Sequence, residues 1–120
     1  MKKLILYSYT KCSTCRKALK WLDQRGFGYQ LIDILKESPS EKHLKLALKK
    51  YSLEKKKIFN TRSKSFQLLN FDINSLSNQE IIQILQDDGK LVKRPFLVYE
   101  EKNIILGFNE DEYNNHFCED

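Results

Sequence analysis

Short apolar runs alternate with helical stripes along this chain, and their order predicts its architecture. Residues 3 to 7, Lys-Leu-Ile-Leu-Tyr, are too short for a helix and are followed by the turn-compatible Ser8 and Thr10, so they predict a buried strand. Cys15, Ala18, Leu19 and Leu22 then fall at i, i+3, i+4 and i+7, one apolar face of a helix, with Gly26 placed to end it. The run Gly28-Tyr29-Gln30-Leu31-Ile32-Asp33-Ile34 gives a second strand, which a right-handed crossover places parallel to the first. Residues 3 to 34 therefore predict a βαβ unit.

Ser38-Pro39-Ser40-Glu41 has capping-box spacing with proline at the first helical position, and Leu44, Ala47, Leu48 and Tyr51 continue an apolar face behind it. Phe59-Asn60-Thr61-Arg62-Ser63 predicts a loop leading into a short helix that ends near Leu69. Ser77-Asn78-Gln79-Glu80 is another capping box, opening a helix that carries Ile81, Ile82 and Leu85 and closes at Gly89. Phe96 to Tyr99, the polar turn 100 to 103 and Ile104 to Gly107 predict an antiparallel hairpin. A last helix starts at Asn109, with Glu110, Asp111 and Glu112 complementing its N-terminal dipole and Tyr113 and Phe117 packing inward. The prediction is one α/β domain over residues 1–120: a mixed sheet built βαβ…ββα, with a helical insertion at about 38–90.

Composition and charge limit what such a domain does. The 120 residues are 41% hydrophobic, enough for one core and too few for two domains. No apolar run approaches the roughly 18 to 20 residues that span a bilayer, so neither export nor membrane insertion is expected. Three cysteines are an odd number for a disulfide framework, and a reducing cytoplasm is the expected setting. The net charge of +5 is uneven: Lys42, Lys45, Lys49, Lys50, Lys55, Lys56 and Lys57 crowd the middle, whereas residues 108 to 120 hold five acidic residues and no Lys or Arg. A basic middle suits nucleic acid or an acidic protein surface. No row of aromatic residues is interleaved as stacking platforms, Tyr51 being alone within the cluster, so the plainer reading is a solvated helix face with no direct nucleic-acid contact. A monomeric chain is expected.

The chemistry sits in Tyr-Thr-Lys-Cys-Ser-Thr-Cys-Arg-Lys-Ala at 9 to 18, where Cys12 and Cys15 bracket Ser13 and Thr14 at the start of the first helix. A structural zinc site needs about four ligands, and only Cys118, His43 and His116 remain, with no second close pair. A buried, inert pair is one alternative. The other is redox. Cys12 lies just before the helix, where unpaired N–H groups and the dipole stabilise a thiolate and Lys11 and Arg16 add positive charge. Cys12 is then the nucleophile, and Cys15, one turn on, resolves the mixed disulfide. Lys93-Arg94-Pro95, before the hairpin, offers a proline suited to a cis bond against the cysteine loop. The element order suggests a thioredoxin-like fold, which puts Arg94 beside Cys12, able to lower its pKa or to hold an anion.

Four stretches carry a resemblance to a known family: CSTCRKALKWL at 12 to 22, FNTRSKSFQLLN at 59 to 70, LVKRPFLV at 91 to 98 and GFNEDE at 107 to 112. In order and nearly end to end, they resemble the ArsC/Spx family. The resemblance implies a thioredoxin-like fold with a helical insertion. It also implies a role among glutaredoxin-coupled arsenate reductases, Spx redox-sensing transcription regulators and members of unassigned function. By the resemblance, Cys12 matches the reactive cysteine, Arg94 the oxyanion-binding arginine of an R-P motif, Arg62 a second anion-binding arginine and Pro95 a cis-proline. Lys11, Ser13 and Thr14 complete the candidate anion site around Cys12.

The chain also departs from the reductase pattern. Such reductases have one loop cysteine, a histidine shortly before it and a third arginine near the hairpin's end, whereas here Cys15 is extra, Ser8 precedes the loop and the hairpin ends in Gly107-Phe108. The C-x-x-C pair, TRSKSFQLLN and GFNEDE are closer to Spx, which acts by binding the C-terminal domain of the α chain of RNA polymerase. For that contact a glycine in the central helical region matters, and residues 49 to 55 here hold none. The expected function is thiol-disulfide redox chemistry on an oxyanion or a disulfide, with glutaredoxin, thioredoxin or glutathione as electron source and no metal or bound organic cofactor. The alternative is an Spx-like regulator with RNA polymerase as its partner. Cys118 is either a peripheral thiol or one that reaches the site from the last helix.

Overall fold

The computed structural model describes residues 3–70 and 72–117; Cys118 lies outside them. Four strands, β1 (Leu4–Ser8), β2 (Gln30–Asp33), β3 (Phe96–Tyr99) and β4 (Asn103–Leu106), form one sheet in the order β2-β1-β3-β4. β1 pairs parallel with β2 and antiparallel with β3, and β3 pairs antiparallel with β4. The helices are α1 (Ser13–Gln24), α2 (Glu41–Lys50), the single turn α3 (Lys64–Gln67), α4 (Asn78–Asp87) and α5 (Glu110–Phe117). Short 3₁₀ turns occupy Lys55–Ile58, Ile73–Ser75 and Gly89–Leu91.

β1 is buried at every position because both faces of the sheet are covered. Leu4 and Leu6 point to one side, where Leu97, Tyr99 and Ile105 join Ala18, Trp21 and Leu22 of α1 and Tyr113 and Phe117 of α5. Ile5 and Tyr7 point to the other, where Phe96, Val98 and Ile104 meet Leu44, Ala47 and Leu48 of α2 and Ile81, Ile82 and Leu85 of α4. The strand's period of two thus serves two cores at once. Each fully buried aliphatic side chain contributes roughly 1.5 to 3 kcal/mol.

The βαβ unit, the hairpin and the last helix lie where the sequence predicts them, and Asn109 Oδ1 accepts from the Glu112 N–H at the start of α5. The Ser77 capping box forms in full: Ser77 Oγ accepts from the Glu80 N–H and Glu80 accepts from the Ser77 N–H. Two local readings shift. The cap of α2 is Ser40, whose hydroxyl accepts from the His43 N–H at 3.2 Å, so Pro39 precedes the helix instead of opening it. Gly89 does not close α4, which ends at Asp87; Asp88 is extended and its side chain caps the next turn through the Lys90 N–H. Glycine is required at 89 for another reason: a Cβ there would sit 2.0 Å from the Ile34 carbonyl oxygen.

Beneath the sheet runs a polar strut. Tyr7 Oη lies 3.0 Å from His43 Nδ1, and His43 Nε2 lies 2.5 Å from Glu101 Oε1. Glu101 also accepts from Lys3 Nζ at 2.7 Å. Glu100 and Glu101 both hold left-handed backbone, with φ of 57° and 56°, a conformation costly for glutamate. The strut and the Lys3–Glu100 backbone bond fix that turn against β1 and α2.

Candidate active site

β1 delivers the chain to the site: the loop after Ser8 turns back through a Cys12 N–H to Tyr9 carbonyl bond of 3.0 Å, and α1 begins at Ser13. Cys12 is the N-cap of that helix. Its backbone is extended and its sulfur accepts from the Cys15 N–H at 3.3 Å, the position that serine or aspartate oxygen usually takes. Both thiols are free; Cys12 is part exposed and Cys15 is fully buried.

Their surroundings push the two thiols apart. Partial burial would raise Cys12, but hydrogen bonds from the Cys15 side chain and N–H, together with the charge and hydrogen bond of Arg94, outweigh it and hold the thiol below its ordinary range. Burial pushes Cys15 up to about 11, and its hydrogen bond to the Cys12 sulfur adds to that, against smaller opposing contributions from Ser8 and the Tyr9 backbone. The surroundings therefore favour the thiolate on Cys12 over that on Cys15.

The opposite wall is held by backbone pairing between distant segments. Asn60 N–H donates to Leu91 O at 2.7 Å and Lys93 N–H to Ile58 O at 2.8 Å, with Phe59 and Val92 bridged between them. This zipper carries the Thr61-Arg62-Ser63 loop to the side of Lys93 and Arg94. Ser63 braces the loop by donating to Asn60 O and capping α3. The Arg94–Pro95 bond is cis, Pro95 is buried, and Pro95 O accepts from the Gly107 N–H at 2.9 Å. The Arg94 guanidinium lies 4.9 Å from the Tyr9 ring centroid, a cation–π contact that orients it toward the thiol.

A cleft of about 270 Å³ is lined by Cys12, Ser13, Thr14, Arg62, Arg94 and, beside them, Asn60, Ser63 and Lys93. The sequence candidates Cys12, Ser13, Thr14, Arg62 and Arg94 thus share one space. Lys11 is exposed and is not among the lining residues, and Arg16 donates to the Thr10 carbonyl at 2.9 Å, bracing the loop. Asn60, Ser63, Lys93, Tyr9 and Ser8 join the site beyond the sequence candidates. Lys93 and Ser63 flank the two arginines in sequence, which was a usable signal; Ser8 and Tyr9 carried none, because their roles come from the packing of Cys15 and Arg94. Among the described residues no group of His, Cys, Asp and Glu is placed to hold a metal ion, and no helix is long and apolar enough to cross a membrane.

A dithiol at the first turn of the helix after β1, with a cis-proline at the head of β3, belongs to the thioredoxin-like fold, and the chain has that fold. The profile of the ArsC family matches residues 7–116, and the chain belongs to that family. It is 38% identical over 117 residues to uncharacterized protein YusI of Bacillus subtilis, covering 96% of this chain and 98% of that one. It is 38% identical over 109 residues to the global transcriptional regulator Spx of Lactiplantibacillus plantarum, covering 91% and 82%. Among solved structures, a possible arsenate reductase from Streptococcus mutans superposes with a TM-score of 0.85 at 38% identity, over 95% of this chain and 98% of that one.

Proposed function

We propose that the chain is a thiol-disulfide oxidoreductase, and the pairing of a capped, acidic Cys12 with a buried, proton-holding Cys15 is the observation that carries this reading. The Cys12 thiolate attacks one sulfur of a disulfide; a Cys12–S bond forms, the substrate S–S bond breaks, and the departing thiolate takes a proton. Cys15 then loses its proton and attacks the Cys12 sulfur, closing the Cys12–Cys15 disulfide and releasing the second substrate thiol. The substrate gains two electrons and the protein loses two. Glutaredoxin, thioredoxin or glutathione returns them, and no metal or organic cofactor enters. Arg94 and Arg62 hold anionic character beside the sulfur, whether of an oxyanion or of a disulfide's flanking groups, and Pro95 shapes the wall.

A second reading is a transcription regulator, supported by the relatives named global transcriptional regulator Spx; in it the chain would bind the C-terminal domain of the α chain of RNA polymerase, with the dithiol as its signal. Trapping separates the two. Incubated with a small neutral disulfide, the Cys15→Ser protein accumulates a mixed disulfide on Cys12 by mass spectrometry, while the wild type releases both thiols and turns over with added glutathione. Absence of turnover, joined to α-domain binding that depends on the oxidation state of Cys12 and Cys15, contradicts the enzyme reading.

A further inference from the structure

The cleft over Cys12 does not end there. On one side it shares Lys93 with a larger cleft of about 750 Å³, lined by Tyr51, Phe59 and Leu106 below and by Lys50, Lys56 and Lys57 at its rim. On the other it shares Ser63 and Arg94 with a cleft of about 280 Å³ that adds Leu35, Lys64 and Lys90. The three clefts adjoin through these shared residues, an interrupted furrow whose connecting cleft holds Cys12.

Its charge is one-sided. Glu112 is the single carboxylate among the residues lining the three clefts. Lys57 pairs with Glu54 at 2.7 Å, Lys50 donates to the Ile104 carbonyl, and Lys56 lies over the Phe66 ring. Arg62, Arg94, Lys93, Lys64 and Lys90 have no ion-pair partner among the described residues. The other paired lysines among the described residues, Lys3, Lys42 and Lys45, find their carboxylates elsewhere, on Glu101 and Glu41. Cations without an ion pair are thus gathered around Cys12 and in the smaller cleft beside it, while the larger cleft adds lysines at an apolar lining that also holds Glu112. An inorganic oxyanion beside Cys12 would meet Arg62 and Arg94 and would leave the two neighbouring clefts unused.

We propose that the substrate is a disulfide carried on an acidic stretch of polypeptide, which lies along this furrow with its carboxylates on the lysines and arginines and its apolar side chains on the floors. This rests on the redox reading above, and the electron balance is the one given there: the polypeptide disulfide takes two electrons, one partner sulfur leaving at the Cys12 attack and the other at the Cys15 attack. Extended cationic surface raises encounter rates with acidic partners and loses that advantage with salt.

The test uses three peptides of equal length with a central cysteine in mixed disulfide with 2-thiopyridine, flanked by glutamate, glutamine or lysine, and follows release of the thiopyridone at low ionic strength. The acidic peptide is expected to react about tenfold faster than the neutral one and the basic peptide slowest, with the spread shrinking as salt screens the furrow. In a Lys64→Glu/Lys90→Glu variant the ratio of acidic to neutral rates is expected to fall severalfold. A polyglutamate competitor is expected to inhibit more strongly than a single-stranded oligonucleotide of equal charge; the reverse overturns the choice of a polypeptide. Reaction with all peptides but no acidic preference overturns the proposal and leaves the redox reading standing. No reaction of Cys12 even with a small neutral disulfide overturns both.

Discussion

The backbone N–H of Cys15 donates to the sulfur of Cys12 across 3.3 Å. This is one of the contacts that set the two thiols apart. It stabilises charge on Cys12, because a hydrogen bond to the ionised form favours that form, and it belongs to the residue whose own sulfur is buried by the same helical turn. In the proposed cycle this orders attack before resolution, with the more exposed sulfur first.

Arg94 supplies the second half of that arrangement. Its charge and its hydrogen bond both lower the Cys12 pKa, and its position rests on the Tyr9 ring. Arg94→Met is expected to slow Cys12 alkylation at pH 7 by about threefold to tenfold and to shift the pH midpoint upward, with Arg94→Lys in between, since lysine keeps the charge and loses the planar fork. Kinetics of iodoacetamide labelling check this.

His43 joins β1, α2 and the hairpin turn, so its loss is felt at both ends. His43→Ala leaves the buried Tyr7 hydroxyl without its ring partner and is expected to cost about 1 to 3 kcal/mol in urea unfolding. The Glu101 carboxyl is held down to about 2, first by Lys3 and then by His43. A carboxylate with a lowered folded pKa stabilises above its unfolded value near 4.5 and loses that contribution as pH falls toward 2. The stability gap between wild type and Glu101→Gln is therefore expected to be full at pH 6 and to narrow between about pH 4.5 and 2.

Gly89 shows how far a backbone contact reaches. An added methyl would meet the Ile34 carbonyl, part of the segment after β2, and neither backbone can move freely. Gly89→Ala is expected to destabilise by about 1 to 3 kcal/mol, measured by thermal unfolding, and to disturb Arg94 through the pairing of 90–93 with 58–60.

The same glycine marks the boundary of what the sequence disclosed. Strand and helix order, the Ser77 box and the cysteine at a helix start were legible because each rests on neighbours within a turn or two. At Ser38 and Ser40 two caps compete locally, and the choice is consistent with long-range packing: with Ser40 as cap, His43 falls in the first turn and buries against Tyr7. Gly89 reads as a helix stop by local rules, whereas its role is an approach to Ile34 some fifty residues away. The site divides likewise. Cys12, Arg62 and Arg94 stood out by spacing and resemblance, but the bracing by Tyr9 and Ser8 and the charged furrow depend on which distant segments the 58–60 and 91–93 pairing brings together.

The rate of Cys12 alkylation against pH tests the central claim most directly, measured in a Cys118→Ser protein with mass spectrometry assigning the labelled residue. The account predicts that Cys12 labels first, with a midpoint below the ~8.5 of a free cysteine, while folded Cys15 stays unlabelled. A midpoint at or above that value, or equal labelling of Cys12 and Cys15, would contradict it.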